Sequence, residues 1–174
     1  ALRGDAGANL LRAGSGNDLL EGRGGADTLV GGTGTDTASY AGSAAAVSVS
    51  LGTGTGQGGD AAGDRLQEIE NLVGSGGDDL LIGDTSDNRL AGGAGDDELE
   101  GGAGADALSG GDGRDTASYL DAQAAVVVSL ADAGINTGEA AGDSFESIEN
   151  LEGSEFDDQL VGDGYDNVLR GNPG

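Results

Sequence analysis

Carboxylates recur at a fixed spacing through this chain of 174 residues, and a regular row of carboxylates is chemistry for holding hard cations. Aspartate or asparagine stands at every ninth position within three blocks: Asn9, Asp18, Asp27 and Asp36; Asp79, Asn88, Asp97, Asp106 and Asp115; then Asp158 and Asn167. Each closes a run related to Gly-Gly-x-Gly-x-Asp, with departures such as Asp5, Asp84 and Asp163 in place of the second glycine and Ser86 in place of the third, and x-Leu-x follows, or Thr-Ala-Ser after Asp36 and Asp115. The clearest copies are 92–100 (GGAGDDELE), 101–109 (GGAGADALS) and 31–39 (GGTGTDTAS). An apolar residue two positions after the carboxylate keeps step, as in Leu11, Leu20, Leu29, Leu81, Leu90, Leu99, Leu108, Leu160 and Leu169.

The remaining composition narrows the chemistry further. There is no His and no Cys, which excludes a Ser-His-Asp triad, a zinc site of the usual nitrogen and sulfur kind, and haem or iron–sulfur ligation. Seven Lys+Arg against 32 Asp+Glu give a formal net charge of −25. That excess repels phosphate backbones and anionic headgroups, so neither a nucleic-acid partner nor membrane insertion by this segment is expected. No apolar run of about 18 residues is present, and the N-terminus does not resemble a signal peptide. The chain starts without Met and stops in a turn-like Gly-Asn-Pro-Gly, as a piece of a larger protein would. Aromatics are only 3%, and composition alone is that of a chain disordered by itself.

Periodicity argues otherwise. A nine-residue unit does not match the 3.6 period of a helix, and it suits a three-residue strand plus a tight turn. The strand points one Leu inward; the glycines supply the turn. Two units then make one coil, and coils stack about 4.8 Å apart as parallel strands. The expected fold is all-β: a single elongated, right-handed parallel β-roll over 1–174, a solenoid of the β-helix type. Its core is one Leu per half-coil, too thin to offset ordering entropy unaided.

A longer repeat of 79 residues overlies the short one: Ala38-Ser39-Tyr40 recurs as Ala117-Ser118-Tyr119, and Ile69-Glu70-Asn71-Leu72 as Ile148-Glu149-Asn150-Leu151. It divides the chain into a first repeat block (4–39), an insert (40–73), a second block (74–118), a second insert (119–152) and the start of a third block (153–174). In each insert Val47, Val49 and Leu51, or Val126, Val128 and Leu130, alternate as a strand with one buried face. Residues 52–60 read as a mobile loop. The 34-residue gap from Ala38 to Leu72 predicts about two irregular coils through the insert.

Stacking brings the carboxylate of one turn over that of the turn 18 residues later, and like charges a few ångström apart repel unless a cation lies between them. Carbonyl oxygens of the glycine turns face the same gap. Two carboxylates plus several carbonyls suit calcium, with its six to eight hard oxygen ligands, better than zinc, copper or iron, and better than the tighter octahedron of magnesium.

The motif GGxGxDxUx, present about eleven times, resembles the RTX (repeats-in-toxin), haemolysin-type family of calcium-binding nonapeptide repeats. The resemblance implies that consensus Asp side chains and nearby turn carbonyls ligate calcium between coils. It implies also that the chain is largely unfolded without the ion, and that the parent protein is extracellular, leaving a Gram-negative cell by type I secretion. By position, the side-chain ligands are Asp18, Asp27, Asp36, Asp79, Asp97, Asp106, Asp115 and Asp158, with Asn9, Asn88 and Asn167 as uncharged substitutes. The carbonyl ligands are those of Gly14, Gly16, Gly25, Gly32, Gly34, Gly77, Gly93, Gly95, Gly102, Gly104, Gly111 and Gly113. Well-formed sites are expected between turns 13–18 and 31–36, 74–79 and 92–97, and 92–97 and 110–115. Those pairing 4–9 with 22–27, and 83–88 with 101–106, are expected to be less tight. Roughly six to ten calcium ions follow at two carboxylates per site.

Glu70 and Glu149 lie nine residues before Asp79 and Asp158, in the ligand register, and are further candidates with Asp64 and Asp143. The alternative for these four is capping of solvent-facing strand ends. Adjacent acids such as Asp96-Asp97 arise automatically among so many carboxylates and are not read as a glycosidase pair. The expectation is a non-enzymatic, calcium-binding RTX module of a secreted bacterial protein, monomeric when isolated, that folds on binding calcium after export. The alternatives are an accessory module of a secreted polysaccharide epimerase, protease or lipase, or a repeat of an adhesin.

Overall fold

The computed structural model describes all 174 residues. Apart from three single-turn 3-10 helices (Gly59–Ala61, Ala133–Ile135 and Gly138–Ala140), every element is a short strand. The x-Leu-x of a repeat unit forms a strand of three residues, as in Leu19–Glu21, Leu80–Ile82 and Glu98–Glu100, with its central Leu buried and its neighbours half-buried. Four strands run on into the following glycines: Leu10–Ser15, Thr28–Thr33, Arg89–Ala94 and Ala107–Asp112.

Two sheets carry the molecule. One holds seven strands in the order Leu2–Arg3, Leu19–Glu21, Thr37–Ser39, Asn71–Val73, Arg89–Ala94, Ala107–Asp112 and Ser144–Glu146. The other holds ten, from Leu10–Ser15 at one end to Val168–Arg170 at the other. Repeat strands pair in parallel, and each Leu faces the Leu 18 residues on: Leu2 with Leu20, Leu11 with Leu29, Leu81 with Leu99, Leu90 with Leu108. The core between the sheets is a cluster of 23 buried residues whose spine is this leucine series, with Leu20, Leu29, Leu72, Leu81, Leu90 and Leu99 fully enclosed. A nearly all-strand architecture in this register is consistent with a β-roll.

The inserts depart from the expected pattern. Ala38 pairs directly with Leu72, so on that face the first insert occupies one step between neighbouring strands rather than two irregular coils. On the opposite face Arg65–Gln67, Thr55–Gln57 and Ser48–Ser50 stand between Thr28–Thr33 and Leu80–Ile82. Thr55–Gln57 is antiparallel to both of its neighbours, so the sheet is mixed. The segment read as a mobile loop thus contains a strand and a 3-10 turn, because Ser48–Ser50 offers it an unpaired edge. In the second insert the matching contact shrinks to an antiparallel bridge between Val127 and Thr137, and Val127–Ser129 pairs with Gln159–Val161 as a separate two-stranded sheet.

The two inserts also lie on opposite sheets. Ala38 and Leu72 are neighbours in the seven-stranded sheet, whereas Ala117 and Leu151 are neighbours in the ten-stranded one. The cause is arithmetic: Leu72 to Ala117 is 45 residues, five nine-residue units. An odd number of half-coils brings the second insert to the other face.

Leu99 is fully buried, with a core one side chain deep around it, and Leu10 is 60% exposed. Leu99→Ala is expected to lower unfolding stability in calcium-containing buffer by about 2–4 kcal/mol, and Leu10→Ala by less than about 0.5 kcal/mol, as read from urea denaturation followed by circular dichroism.

Candidate metal centre

The turns between strands form two edges, and each edge carries one ladder of carboxylates. In each rung a backbone N–H donates to the carboxylate of the next coil. On one edge Asp18 N–H donates to Asp36 Oδ1 at 2.8 Å, Asp36 to Glu70 Oε2 at 2.7 Å, Asn88 to Asp106 Oδ1 at 2.8 Å and Asp106 to Asp143 Oδ1 at 2.9 Å. On the other, Asn9 donates to Asp27 Oδ1 at 2.7 Å, Asp27 to Asp64 at 2.8 Å, Asp79 to Asp97 at 2.8 Å, Asp97 to Asp115 at 2.9 Å and Asp115 to Glu149 Oε2 at 2.9 Å. The periodic residues picked out by spacing are thus joined rung by rung, and Asp64, Asp143, Glu70 and Glu149 stand in the same ladders.

The second oxygen of these carboxylates tells more. Six buried side-chain polar atoms have no hydrogen-bond partner, and five of them are the Oδ2 atoms of Asp27, Asp36, Asp97, Asp106 and Asp115; the aspartates concerned are no more than 2% exposed. A buried carboxylate oxygen without a donor is costly. Burial raises the carboxyls of Asp27 and Asp115, and pushes that of Asp97 up to about 7 and that of Asp106 to about 6; the ladder N–H bonds work against the shift, and neighbouring acids add to it. No three acidic side chains converge on one point, so a cation held here needs backbone carbonyls to complete its shell.

The glycines place such carbonyls. A Cβ added to the first glycine of a unit would collide with the Asp Oδ2 of that unit, at Gly22, Gly31, Gly92, Gly101 and Gly110 alike. Further along the turn, Gly111 and Gly113 adopt φ of 115° and 150°, and a Cβ on either would run into the carbonyl of Gly93 or Gly95 in the preceding coil. Of the twelve glycines whose carbonyls the repeat pattern nominates, all but Gly77 have positive φ. Buried donor-free carboxylate oxygens beside stacked carbonyls are an all-oxygen donor set, which fits calcium.

Five turns are built differently, with Asp or Ser at the second position closing the turn on itself. Asp5, Asp84 and Asp163 donate their N–H to Oδ1 of Asn9, Asn88 and Asn167 at 2.7, 2.7 and 2.8 Å. Ser75 and Ser154 do the same to Oδ2 of Asp79 and Asp158, and their hydroxyls donate to Oδ1 at 2.8 and 2.9 Å. Both oxygens of Asp79 and Asp158 therefore have protein donors. Turn 74–79, expected to be regular, is of this self-closed type, because Ser75 replaces the flexible second glycine. Asp18 lies half-buried, 3.7 Å from the N-terminal amine.

Spacing alone also missed a tyrosine closure. Tyr40 OH donates to Asp64 Oδ2 at 3.1 Å and Tyr119 OH to Asp143 Oδ2 at 2.6 Å. With the ladder N–H on the other oxygen, both carboxylates are satisfied without an ion. Burial raises both tyrosine hydroxyls, and raises the carboxyl of Asp64 to about 6. The 79-residue repeat held the signal, since Tyr and Asp are 24 apart in both copies.

The family model of the RTX calcium-binding nonapeptide repeat (4 copies) matches residues 3–38, 68–90, 82–117 and 152–174, which together cover more than half of the chain. The chain belongs to the RTX calcium-binding repeat family. The matches take in every turn of the three RTX blocks and leave out most of both inserts. No curated protein matches the chain. The donor-free oxygens lie on periodic aspartates within the matched RTX repeats, and calcium is the ion that the family binds.

Tyr119→Phe leaves Asp143 Oδ2 without its donor and is expected to cost about 1–3 kcal/mol of stability in saturating calcium, measured by chemical denaturation. A second expectation concerns pH in the absence of divalent cations. Asp97, Asp106 and Asp64 have carboxyls raised from 3.8 to about 7, 6 and 6, so the folded chain takes up protons that the unfolded chain does not. Their destabilisation of the ion-free fold is full above about pH 7 and relieved as pH falls towards 4. In chelator, the far-ultraviolet β-signal is expected to be greater at pH 5 than at pH 8.

Proposed function

We propose that this protein is a non-enzymatic, calcium-dependent RTX module: a right-handed parallel β-roll that holds calcium ions between successive turns and folds on binding them after export from a bacterial cell. The observation that carries the reading is the set of five buried aspartates, each with one oxygen bonded to the neighbouring coil and the other without any donor. Asp27, Asp36, Asp97, Asp106 and Asp115, with turn carbonyls such as those of Gly93 and Gly95, would hold the ions. When bound, calcium supplies positive charge between carboxylates that otherwise repel. The chain's own part is to present these oxygens at fixed separation, through the ladder N–H bonds and the glycine turns.

The export reading rests on the family and on charge. RTX repeats are typical of secreted bacterial proteins. A formal charge of −25 holds an ion-free chain open where calcium is scarce, and extracellular modules bind in a range of about 10⁻⁴–10⁻³ M. No helix is long and apolar enough to cross a membrane. In support of the non-enzymatic reading, the free oxygens of the buried carboxylates sit in the turns beside backbone carbonyls, each carboxylate tied to the neighbouring coil.

At neutral pH in EDTA the far-ultraviolet circular dichroism is expected to be that of an unfolded chain, and calcium titration is expected to produce a cooperative β-type spectrum. Asp97→Asn, which removes charge from the middle of one ladder, is expected to shift the midpoint to several-fold higher calcium. A full β-spectrum in EDTA at neutral pH would sink the reading.

A further inference from the structure

Where each insert rejoins the repeats, glutamate takes the ladder position that aspartate holds elsewhere. Asp36 N–H donates to Glu70 Oε2 at 2.7 Å and Asp115 N–H to Glu149 Oε2 at 2.9 Å. These rungs span 34 residues instead of 18, and the longer side chain reaches where an aspartate one rung on would have stood. Asp36 and Asp115 are 0% exposed, and the Oδ2 of each is without a donor.

A second acceptor lies beside each of these oxygens. The Asp36 Oδ2 and the Glu68 carbonyl oxygen both fall within 2.5 Å of the position that a Cβ on Gly31 would occupy, so they are separated by no more than twice that distance. The Asp115 Oδ2 and the Ser147 carbonyl oxygen share the corresponding position at Gly110. No N–H or O–H of the chain donates to either carbonyl. Glu68 and Ser147 have φ of 54° and 50°, two of only four non-glycine residues on the left-handed side. The side chains at these equivalent positions differ while the backbone conformation is the same, so the orientation of the carbonyl is the shared feature. Two acceptors this close, one of them charged and buried, call for a cation between them.

We propose that Asp36 Oδ2, the Glu70 carboxylate and the Glu68 carbonyl, and in the second copy Asp115 Oδ2, the Glu149 carboxylate and the Ser147 carbonyl, form two calcium sites of mixed Asp/Glu type that fasten one end of each insert to the repeats. This rests on the calcium reading above and extends it to the glutamates and carbonyls where the inserts rejoin the repeats. At the other end of each insert the ladder acid is closed by the chain itself, since Asp64 and Asp143 have both oxygens satisfied by Tyr40 or Tyr119 and a ladder N–H.

The test compares the full chain with Glu70→Gln/Glu149→Gln, counting bound calcium by equilibrium dialysis and atomic emission and following the fold by circular dichroism. The expected result is about two fewer ions per chain, with a wild-type spectrum at saturating calcium. An unchanged ion count in the variant overturns the inference and leaves the calcium reading standing, whereas a wild-type chain that binds no calcium overturns both. If the double variant does not reach the wild-type spectrum, crystals of the unaltered chain grown with calcium decide. Anomalous peaks between Asp36 Oδ2 and the Glu68 carbonyl, and between Asp115 Oδ2 and the Ser147 carbonyl, support the sites. Their absence alongside peaks at the nonapeptide turns refutes them.

Discussion

Each coil is tied to the next by a backbone N–H that donates to a carboxylate one rung on, and much else in the structure follows from that bond. It fixes the orientation of the carboxylate, because one oxygen is committed to the neighbouring coil. It thereby directs the other oxygen into the turn, where glycine leaves room and no donor is present. The same contact that stacks the coils thus creates the charge that opposes stacking. A thin leucine core does little to offset several buried anions per edge, and a cation of matching period is the counter-charge that these oxygens suit.

Not all rungs answer this demand in the same way. At Asp79 and Asp158 a serine N–H and hydroxyl supply the missing donors from within the turn. At Asp64 and Asp143 a tyrosine hydroxyl does so from the core. At Asn9, Asn88 and Asn167 an amide removes the charge altogether, and in two of these its Nδ2 donates to a neighbouring glutamate carbonyl. Rungs with a donor-free oxygen and rungs closed by the chain's own donors therefore fall in runs: Asp97, Asp106 and Asp115 follow one another as the first kind, Asp79 and Asn88 as the second. Apart from Asn9, the closed rungs stand in the inserts and in the two turns that follow each of them.

How far this was legible in the sequence depends on the range of the interaction. The nine-residue phase of Asp79, Asp97 and Asp115 and of Leu81, Leu99 and Ala117 shows the strands, the register and the ladder directly, because these residues pair with one another at a multiple of the repeat. The inserts broke that rule. Thr55–Gln57 is glycine-flanked and carries no apolar alternation, and only the open edge of Ser48–Ser50 makes it a strand. The Tyr40–Asp64 pair bridges 24 residues, which is no multiple of nine, and Glu68 and Ser147 take their roles through backbone conformation that their side chains do not announce. Ser75 in place of the second glycine was visible, but its effect needed the geometry: a hydroxyl and an N–H four residues before Asp79, both aimed at one carboxylate.

The odd number of half-coils between the inserts gives this mixture a spatial order. Because Leu72 and Ala117 are five units apart, Asp64 joins the ladder of one edge and Asp143 that of the other. Each edge therefore contains one tyrosine-closed rung and one glutamate rung, Asp64 and Glu149 on one side, Asp143 and Glu70 on the other. Had the blocks held an even number of units, both tyrosine closures would lie on one edge and both glutamate rungs on the other. The odd count instead gives each of the two edges one carboxylate, Asp64 or Asp143, whose oxygens both have protein donors.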